Sequence, residues 1–422
     1  MKVYIETYGC TFNQADSQIM AGLLTKESVT LVDNVDDADI IVVNTCYVKL
    51  PTESKITNHI MKLQEDYPSK KIIVSGCMVE IDPKKLDKIA PEASWIGPRQ
   101  LNKTVDVVKS TMAGEVCRAV GSSDDSKVCL DKVRDDPFIH IIQICEGCLG
   151  SCTYCCTRFA RGKLQSYPIS DIVKEAKAAI DDGCVEIQLT AQDTAAFGKD
   201  TGEYLYDLIN QVSSLDGDFR VRVGMMHPNN MMGELDELVD AFKSDKVYDF
   251  IHLPVQSGSD KVLSEMKRGH SIREYVDVVS RFKAEIPGIT IATDIIVGYP
   301  TESEDDFQAT CDLLEDVRPG IVHISKYMHR PKALSSSLAS IDPVEMKRRS
   351  KIITSIKNRI TEDENRQLLH TRQEVLVVEK GSKGGLIAKT NSYIPVVVSD
   401  GDLGSFMEVE ITDTTGTYII GN

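Results

Sequence analysis

Two patterns of apolar and polar residues alternate along the middle of the chain. From residue 138 onward, short apolar runs recur between amphipathic stretches whose apolar residues return every three or four positions. This alternation is typical of parallel strands joined by crossover helices. The predicted strands are Phe138–Ile144, Val185–Leu189, Arg220–Met225, Phe250–Leu253, Ile289–Val297 and Gly320–Lys326. Six such units are too few for a closed eight-stranded barrel, so the α/β pattern predicts an open partial (β/α)6 barrel.

Three apolar runs near the start of the chain predict a second parallel α/β domain. The runs are Val3–Thr7, Ile40–Asn44 and Lys71–Ser75, and helical stretches separate them. A cysteine follows each run, and these are Cys10, Cys46 and Cys77. Because parallel strands end on one edge of a sheet, we expect the three thiols in one crevice. A single buried cysteine is usually a core filler, whereas three at equivalent strand ends indicate metal ligands.

A second group of cysteines lies in a short loop after the first predicted barrel strand. Cys148, Cys152 and Cys155 have C-x3-C-x2-C spacing, which offers three thiolates to one centre and no fourth. A four-iron cluster held in this way keeps one iron open for the amino and carboxylate groups of S-adenosylmethionine. A zinc site that also uses Cys145 and Cys156 is the alternative, but structural zinc usually needs a longer insert between its cysteine pairs.

Polar residues follow several of the predicted barrel strands, at the end where a cofactor should lie. Each could be an ordinary loop residue, but as a set they are candidates for contacts with the cofactor. Tyr154 could pack on the adenine or simply within its own loop. The candidate cofactor-binding residues are Tyr154, Thr190, Gln192, Asp193, Gln256 and Asp294.

Composition bounds the class of protein and its partners. A chain of 422 residues with 42% hydrophobic content suggests two or three domains. No apolar run approaches the length of a membrane span and the chain opens without a signal segment, so a cytoplasmic protein with reduced thiols is expected. The net charge of -16 argues against a basic RNA-binding surface, but Arg158, Arg161 and Lys163 form a local basic patch. A basic helix from Lys347 to Arg359 fits an RNA contact and a solvated face equally well.

With its two three-cysteine groups, the chain resembles the methylthiotransferase family of radical SAM enzymes. The resemblance also covers Leu189–Thr194, His252–Ser259 and Asp294–Pro300. The tail resembles the family's small β-barrel RNA-binding module, called TRAM, with strand-like runs at Val375–Glu379, Gly385–Lys389, Ile394–Val398 and Met407–Thr412. The implied domains are residues 1–130 for the N-terminal cluster domain, 131–368 for the radical SAM core and 369–422 for the TRAM-like barrel.

Within that family, the stretch from Cys148 to Gly162 looks most like the branch that acts on N6-threonylcarbamoyladenosine at tRNA position 37. Sister branches act on isopentenyladenosine in tRNA or on an aspartate of a ribosomal protein. The resemblance implies two [4Fe-4S] clusters, one that cleaves S-adenosylmethionine and one that carries the transferred sulfur. It also implies contact with the tRNA anticodon loop and a low-potential electron donor. Arg330 stands in a turn that departs from the family's usual sequence, and it joins the candidate RNA contacts Arg158, Arg161 and Lys163.

Two other classes stay open at this point. A two-cluster electron-transfer protein would need neither a six-unit barrel nor two open irons. A non-catalytic RNA-binding protein with structural metal would hold zinc rather than iron. The basic helix near Lys347 offers no apolar seam for a dimer, so a monomer is expected.

Overall fold

The computed structural model describes residues 1–381 and 384–422. Two α/β units and one β-barrel follow one another along the chain. The predicted fold class is confirmed: a parallel α/β domain, a partial barrel of parallel strands and a small closed β-barrel follow one another. Within the described residues, every helix is too short or too polar to cross a lipid bilayer.

The N-terminal unit is a six-stranded sheet in the order β2-β1-β3-β4-β5-β6, with all strands parallel. Its strands are β1 (Lys2–Thr7), β2 (Thr30–Leu31), β3 (Ile40–Thr45), β4 (Lys71–Gly76), β5 (Ser94–Ile96) and β6 (Arg118–Ala119). Its helices are α1 (Thr11–Lys26), α2 (Leu50–Asp66), α3 (Cys77–Ile81), α4 (Pro83–Ile89) and α5 (Thr104–Met112). The three predicted strands are neighbours in this sheet, and β3 and β4 are buried on both faces, whereas β1 is only partly buried.

The central unit contains six parallel strands that follow one another in chain order. These are β7 (Ile139–Gln143), β10 (Glu186–Thr190), β11 (Arg220–Val223), β12 (Phe250–His252), β13 (Thr290–Val297) and β14 (Ile321–Lys326). They form two three-stranded sheets, β11-β10-β7 and β12-β13-β14. Backbone hydrogen bonds join the sheets, from Tyr248 N to Val221 O at 3.0 Å and from Met226 N to His252 O at 2.9 Å. The six strands therefore make one open arc.

Helices cover the outside of this arc, and a short antiparallel pair, β8 (Cys145–Glu146) and β9 (Gln165–Ser166), flanks the central cysteine loop. The helices are α6 (Arg158–Arg161), α7 (Ile169–Asp181), α8 (Leu205–Ser213), α9 (Pro228–Met231), α10 (Leu235–Phe242), α11 (Asp260–Glu265), α12 (Ile272–Glu285), α13 (Glu304–Val317) and α14 (Pro343–Gln367). Ile251, Ile291 and Ile295 pack into the core beneath the helices. Because side chains alternate along a strand, His252 and Asp294 face the inside of the arc.

The C-terminal unit is a closed five-stranded barrel in the order β15-β16-β17-β19-β18. Its strands are β15 (Arg372–Lys380), β16 (Leu386–Thr390), β17 (Pro395–Val398), β18 (Phe406–Thr414) and β19 (Ile419–Gly421). It packs under the arc through Tyr393, whose ring centroid lies 4.8 Å from that of Phe250. Lys389 Nζ also reaches Glu186 Oε2 at 2.8 Å. The barrel thus closes the N-terminal end of the strands and leaves their C-terminal end open.

Candidate active site

The three N-terminal cysteines lie at one edge of the first sheet. Cys10 immediately precedes α1, Cys46 follows β3, and Cys77 is the first residue of α3. Strands β1, β3 and β4 are neighbours in the sheet. The topology therefore brings these cysteines, far apart in the sequence, to one crevice.

Burial and glycine backbone shape this crevice. Gly76, directly before Cys77, has φ +87°, and a Cβ there would lie 2.4 Å from Thr45 O. Cys46 and Cys77 are 8% and 5% exposed, whereas Cys10 is exposed. Burial raises the pKa of Cys77 to about 12, and the nearby Arg161 charge opposes that rise. Three thiols that share one crevice fit a [4Fe-4S] cluster held by three protein ligands, which leaves one iron open.

The central cysteines occupy the loop between β8 and α6. Gly150 N donates a hydrogen bond to Cys148 Sγ at 3.2 Å, and Arg268 Nη1 donates to Cys152 Sγ at 3.6 Å. Burial raises the pKa of Cys148 to about 11, while the Gly150 N–H lowers it. Hydrogen bonds to sulfur suit a thiolate ligand, so this donor set also fits an iron–sulfur cluster.

Two neighbouring cysteines have other partners and do not provide a fourth ligand to this site. Cys145 Sγ donates to Asp193 O at 3.8 Å, and Cys156 Sγ donates to Tyr47 O at 3.6 Å. The second contact also joins the two cysteine loops, because Cys156 follows Cys155 and Tyr47 follows Cys46. The two cysteine loops are therefore in direct contact.

The predicted cofactor-binding residues fall into different surroundings. Gln192 Oε1 accepts a hydrogen bond from Gly147 N at 2.7 Å, and so holds the cysteine loop. The Asp193 carboxylate is buried and accepts hydrogen bonds from His227 N, Asn230 Nδ2 and Ala195 N at 2.8, 2.6 and 3.2 Å. Both side chains thus have structural partners at the open end of the arc.

The other three predicted positions lie on the barrel strands or next to them. Thr190 and Asp294 lie on the inner face of the arc, and Gln256 N donates to Asp294 O at 2.8 Å. Gln256 has φ +80°, an unusual backbone conformation for a residue other than glycine. Tyr154 instead packs against an apolar cluster that includes Tyr299, so its surroundings favour the loop-packing alternative.

The sequence interpretation missed one residue of the inner face. His252, Asp294 and His323 hold donor atoms that all lie within 4.8 Å of one another. His252 Nε2 is 3.3 Å from Asp294 Oδ2, and the rings of His252 and His323 are 5.5 Å apart. His323 is paired in register with Asp294, a relationship that strand alternation in β14 could have indicated.

Two of the four predicted RNA contacts are wrong. Arg161 is 1% exposed and its Nη1 binds Asp16 Oδ2 at 2.7 Å. Arg330 is 5% exposed, and its Nη1 binds Glu53 Oε2 at 2.6 Å. Each guanidinium is used inside the protein and is not accessible to a phosphate. Arg158 and Lys163 are exposed.

The basic helix α14 is also partly used within the protein. Arg349 is buried against Glu302 at 2.7 Å, and Arg348 pairs with Glu304 at 2.6 Å. Arg359 pairs with Glu315. These pairs favour the solvated-face interpretation for much of the helix.

Three known families match successive parts of the chain. Residues 2–97 match the Uncharacterized protein family UPF0004, residues 142–314 match the Radical SAM superfamily, and residues 366–422 match the TRAM domain. The radical SAM match implies S-adenosylmethionine and a [4Fe-4S] cluster as cofactors.

Solved structures show the same fold at low sequence identity. The radical S-adenosylmethionine methyltransferase TsrM from Kitasatospora setae, with cobalamin and a [4Fe-4S] cluster bound, has a TM-score of 0.60 at 11% identity. The alignment covers 79% of this chain and 74% of that one. The cobalamin-dependent radical enzyme OxsB has a TM-score of 0.56 at 13% identity, over 86% of this chain and 56% of that one.

Relatives of known name cover the whole chain. A protein of Methanothermobacter thermautotrophicus named probable threonylcarbamoyladenosine tRNA methylthiotransferase is 58% identical, over 100% of this chain and 99% of the relative. A Pyrococcus horikoshii protein of the same name is 39% identical, over 100% and 99%. The human threonylcarbamoyladenosine tRNA methylthiotransferase is 34% identical, over 100% of this chain and 73% of the human protein. The chain therefore belongs to the radical SAM methylthiotransferase family.

Proposed function

We propose that this protein transfers a methylthio group to C2 of N6-threonylcarbamoyladenosine at position 37 of tRNA. It does so with two [4Fe-4S] clusters, one at Cys148, Cys152 and Cys155 and one at the N-terminal cysteines. The observation that carries the proposal is the direct contact between the two cysteine loops, where Cys156 Sγ lies 3.6 Å from Tyr47 O. A transfer between two centres requires that they share one cavity.

The chemistry supplied by the bound groups is reductive cleavage of S-adenosylmethionine at the central site and a transferable sulfur at the N-terminal site. The protein's own residues orient these groups. Gln192 fixes the central loop through Gly147 N at 2.7 Å. Thr190, Gln256 and Asp294 supply polar atoms where S-adenosylmethionine would lie. The open C-terminal end of the arc gives both sites access to one substrate.

The inner surface of the arc supports a polar substrate. His252, Asp294 and His323 place two imidazoles and a carboxylate within 4.8 Å of one another. Burial is the main cause that lowers the pKa of His323, and the positive charge of Lys49, in the loop after Cys46, is close enough to lower it further. A cation beside imidazoles suits the ionised carboxylate of a threonylcarbamoyl group better than it suits an apolar isopentenyl group.

The expected partners follow from this substrate. The base next to an anticodon is unpaired, so it can be turned into a pocket at low cost. The exposed side chains of Arg158 and Lys163, beside the central loop, would contact the tRNA backbone, and the TRAM-like barrel would contact the tRNA elsewhere. A low-potential electron donor would reduce the central cluster. We also infer that the enzyme works in the cytoplasm as a monomer.

The test is anaerobic reconstitution with iron and sulfide, followed by incubation with S-adenosylmethionine, a reductant and tRNA. One tRNA carries threonylcarbamoyladenosine at position 37 and a matched tRNA carries isopentenyladenosine. Nucleoside mass analysis should find the methylthio derivative of threonylcarbamoyladenosine alone. Methylthiolation of the isopentenyl substrate instead would overturn the substrate assignment and leave the family membership intact.

A further inference from the structure

Four charged side chains form a buried cluster between the N-terminal domain and the barrel. Asp16, Lys127, Glu146 and Arg161 are each at most 4% exposed. Arg161 Nη1 binds Asp16 Oδ2 at 2.7 Å and Glu146 Oε1 at 2.8 Å. Lys127 Nζ binds Asp16 Oδ1 at 2.8 Å and Glu146 Oε1 at 3.0 Å. Two carboxylates thus meet two cations, and this buried charge cluster is neutral as a whole.

One side of the cluster is tied to the N-terminal cysteine site. Asp16 lies in the second turn of α1, which begins directly after Cys10. Arg161 Nη2 donates to Asn13 Oδ1 at 2.7 Å. Asn13 Nδ2 in turn donates to Thr45 O at 2.9 Å, and Thr45 directly precedes Cys46. The Arg161 guanidinium therefore connects, through one residue, to the loops of two N-terminal cysteines.

The other side of the cluster is tied to the central cysteine loop. Glu146 ends the short strand that leads into Gly147 and Cys148. Arg161 is the last residue of α6, and the next residue, Gly162, accepts a hydrogen bond from Cys148 N at 3.4 Å. A movement of Arg161 would therefore shift both ends of the loop that carries the central cysteines.

A purely structural explanation accounts poorly for this arrangement. Buried ion pairs add little net stability, and a well-packed apolar set of similar volume often serves as well or better. The segment 120–138, which joins β6 to β7, is already docked onto the barrel by Lys132, whose Nζ binds Glu175 Oε1 at 2.5 Å without contacting either cysteine loop. The buried charge cluster, in contrast, is connected to both cysteine loops by hydrogen bonds.

The ring of Phe12 packs beside both cations of the cluster. Its centroid lies 4.6 Å from Arg161 Cζ and 5.3 Å from Lys127 Nζ. Gln143 Nε2 donates to Asp16 Oδ1 at 2.8 Å from β7, which adds a direct bond between the barrel and α1. Between buried side chains, charged hydrogen bonds have a strong preference for one geometry.

We propose that Arg161, with Asp16, Glu146 and Lys127, sets the distance and orientation between the two three-cysteine sites. Arg161 is a positioning residue, because it acts through Asn13 and the two loops and not on substrate. The inference rests on the proposed function, in which both sites serve one transfer. It replaces the RNA contact expected for Arg161 from its place in the basic patch.

Two variants test the cluster while keeping the interior neutral. Arg161→Lys retains the charge but loses the planar fork that reaches Asp16, Glu146 and Asn13 together. The double variant Lys127→Met with Glu146→Gln removes one cation and one anion at nearly constant volume. The matched control is Lys132→Met with Glu175→Gln, which removes another buried ion pair, between the same segment and α7, away from both cysteine sites.

The measurements use full-length, anaerobically reconstituted protein with S-adenosylmethionine, reductant and tRNA. Iron per chain and the EPR spectrum establish that both sites are loaded. The decisive quantity is methylthiolated nucleoside formed per 5'-deoxyadenosine. Because misplacement by about 1 Å costs about 100-fold in a positioned reaction, both test variants should lower this ratio by about that factor. The control should keep the wild-type ratio.

Two outcomes would overturn the inference. One is a wild-type ratio in the double variant, which decides the matter even where Arg161→Lys fails to hold iron. The other is an equal loss in the control, since general destabilisation would then explain the effect.

Failure of the proposed function is distinguishable from failure of the inference. If the wild type forms no methylthio product on any RNA, the function is wrong and the positioning role is judged from EPR of the reduced protein alone. Magnetic interaction between two reduced clusters depends on their separation. Arg161→Lys should change that interaction and the control should not, and an unchanged interaction in Arg161→Lys would contradict the positioning role.

Discussion

A Cβ added to Gly9 would lie 2.7 Å from the Cβ of Cys46. Gly9 has φ +118°, a conformation that other residues rarely adopt, and it sits directly before Cys10. The close approach of these two residues is what lets the β1 and β3 loops bring their cysteines together. The crevice therefore depends on the absence of a side chain at Gly9 as well as on the three thiols.

Gly9→Ala should therefore empty the N-terminal site. We expect reconstituted iron to fall by about four per chain, the content of one [4Fe-4S] cluster. Gly114→Ala is the matched control, because Gly114 has φ +90° and nothing lies within 4 Å of the added Cβ. Iron analysis separates crowding at Cys46 from backbone strain, and equal iron in the two variants would show that crowding is unimportant.

Single cysteine variants should separate the two halves of the reaction. Cys148→Ala is expected to abolish 5'-deoxyadenosine formation, because the central site would lose one of its three ligands. Cys77→Ala is expected to keep that activity and to lose the methylthio product. Both quantities are measured in one assay by mass analysis.

Cys311→Ala is the control for these variants, since Cys311 is a buried thiol within α13, away from both sites. It should retain both products. Methylthiolation by Cys77→Ala would show that the N-terminal cysteines do not supply the sulfur.

The strands of the central unit could be predicted from the sequence, whereas its tertiary contacts could not. The apolar runs of β7 and β13 are long enough to be recognised from periodicity, and all six barrel strands formed where they were expected. The strands that were missed each have only two or three residues, and they are β2, β5, β6, β8, β9 and β19. So short a strand is selected by its neighbours in the sheet, and local sequence contains little of that information.

The burial of Arg161 illustrates the same limit at the site. A basic residue next to a cysteine motif suggests an exposed contact, but its partner Asp16 is 145 residues away in the chain. Only the docking of α1 against β7 brings the two together. Charge partners at such separation are a property of the tertiary structure, whereas the cysteine spacing of the central motif is local and could be interpreted directly.

Stability should depend on pH through Glu175, which is buried with Lys132, His140 and the backbone N–H of Cys129. Burial opposes ionisation, but Lys132 and His140 outweigh it and lower the pKa of Glu175 to about 2 from its ordinary value of 4.5. A lowered folded-state pKa contributes stability above the unfolded value, and this contribution is lost as pH falls from about 4.5 toward 2.

Glu175→Gln should accordingly lower the free energy of unfolding at pH 7 by about 3 kcal/mol. The gap from the wild type should narrow steadily below about pH 4.5, because the wild-type carboxylate then becomes protonated. Denaturant titrations at several pH values check this. A gap that stays constant down to pH 3 would contradict the linkage.

Substrate choice should depend on the polar side chains Lys49 and His323 near the inner face of the arc. Lys49→Met and His323→Leu each remove a donor for the ionised threonylcarbamoyl group. A hydrogen bond to a charged group contributes about 1.5 to 3 kcal/mol, so kcat/KM for the threonylcarbamoyl tRNA should fall roughly 10- to 100-fold. Lys62→Met is the control, because Lys62 is an exposed cation on α2, at the far end from Lys49. A loss of equal size on tRNA with unmodified adenosine at position 37 would show that these residues act on the base and not on its side chain.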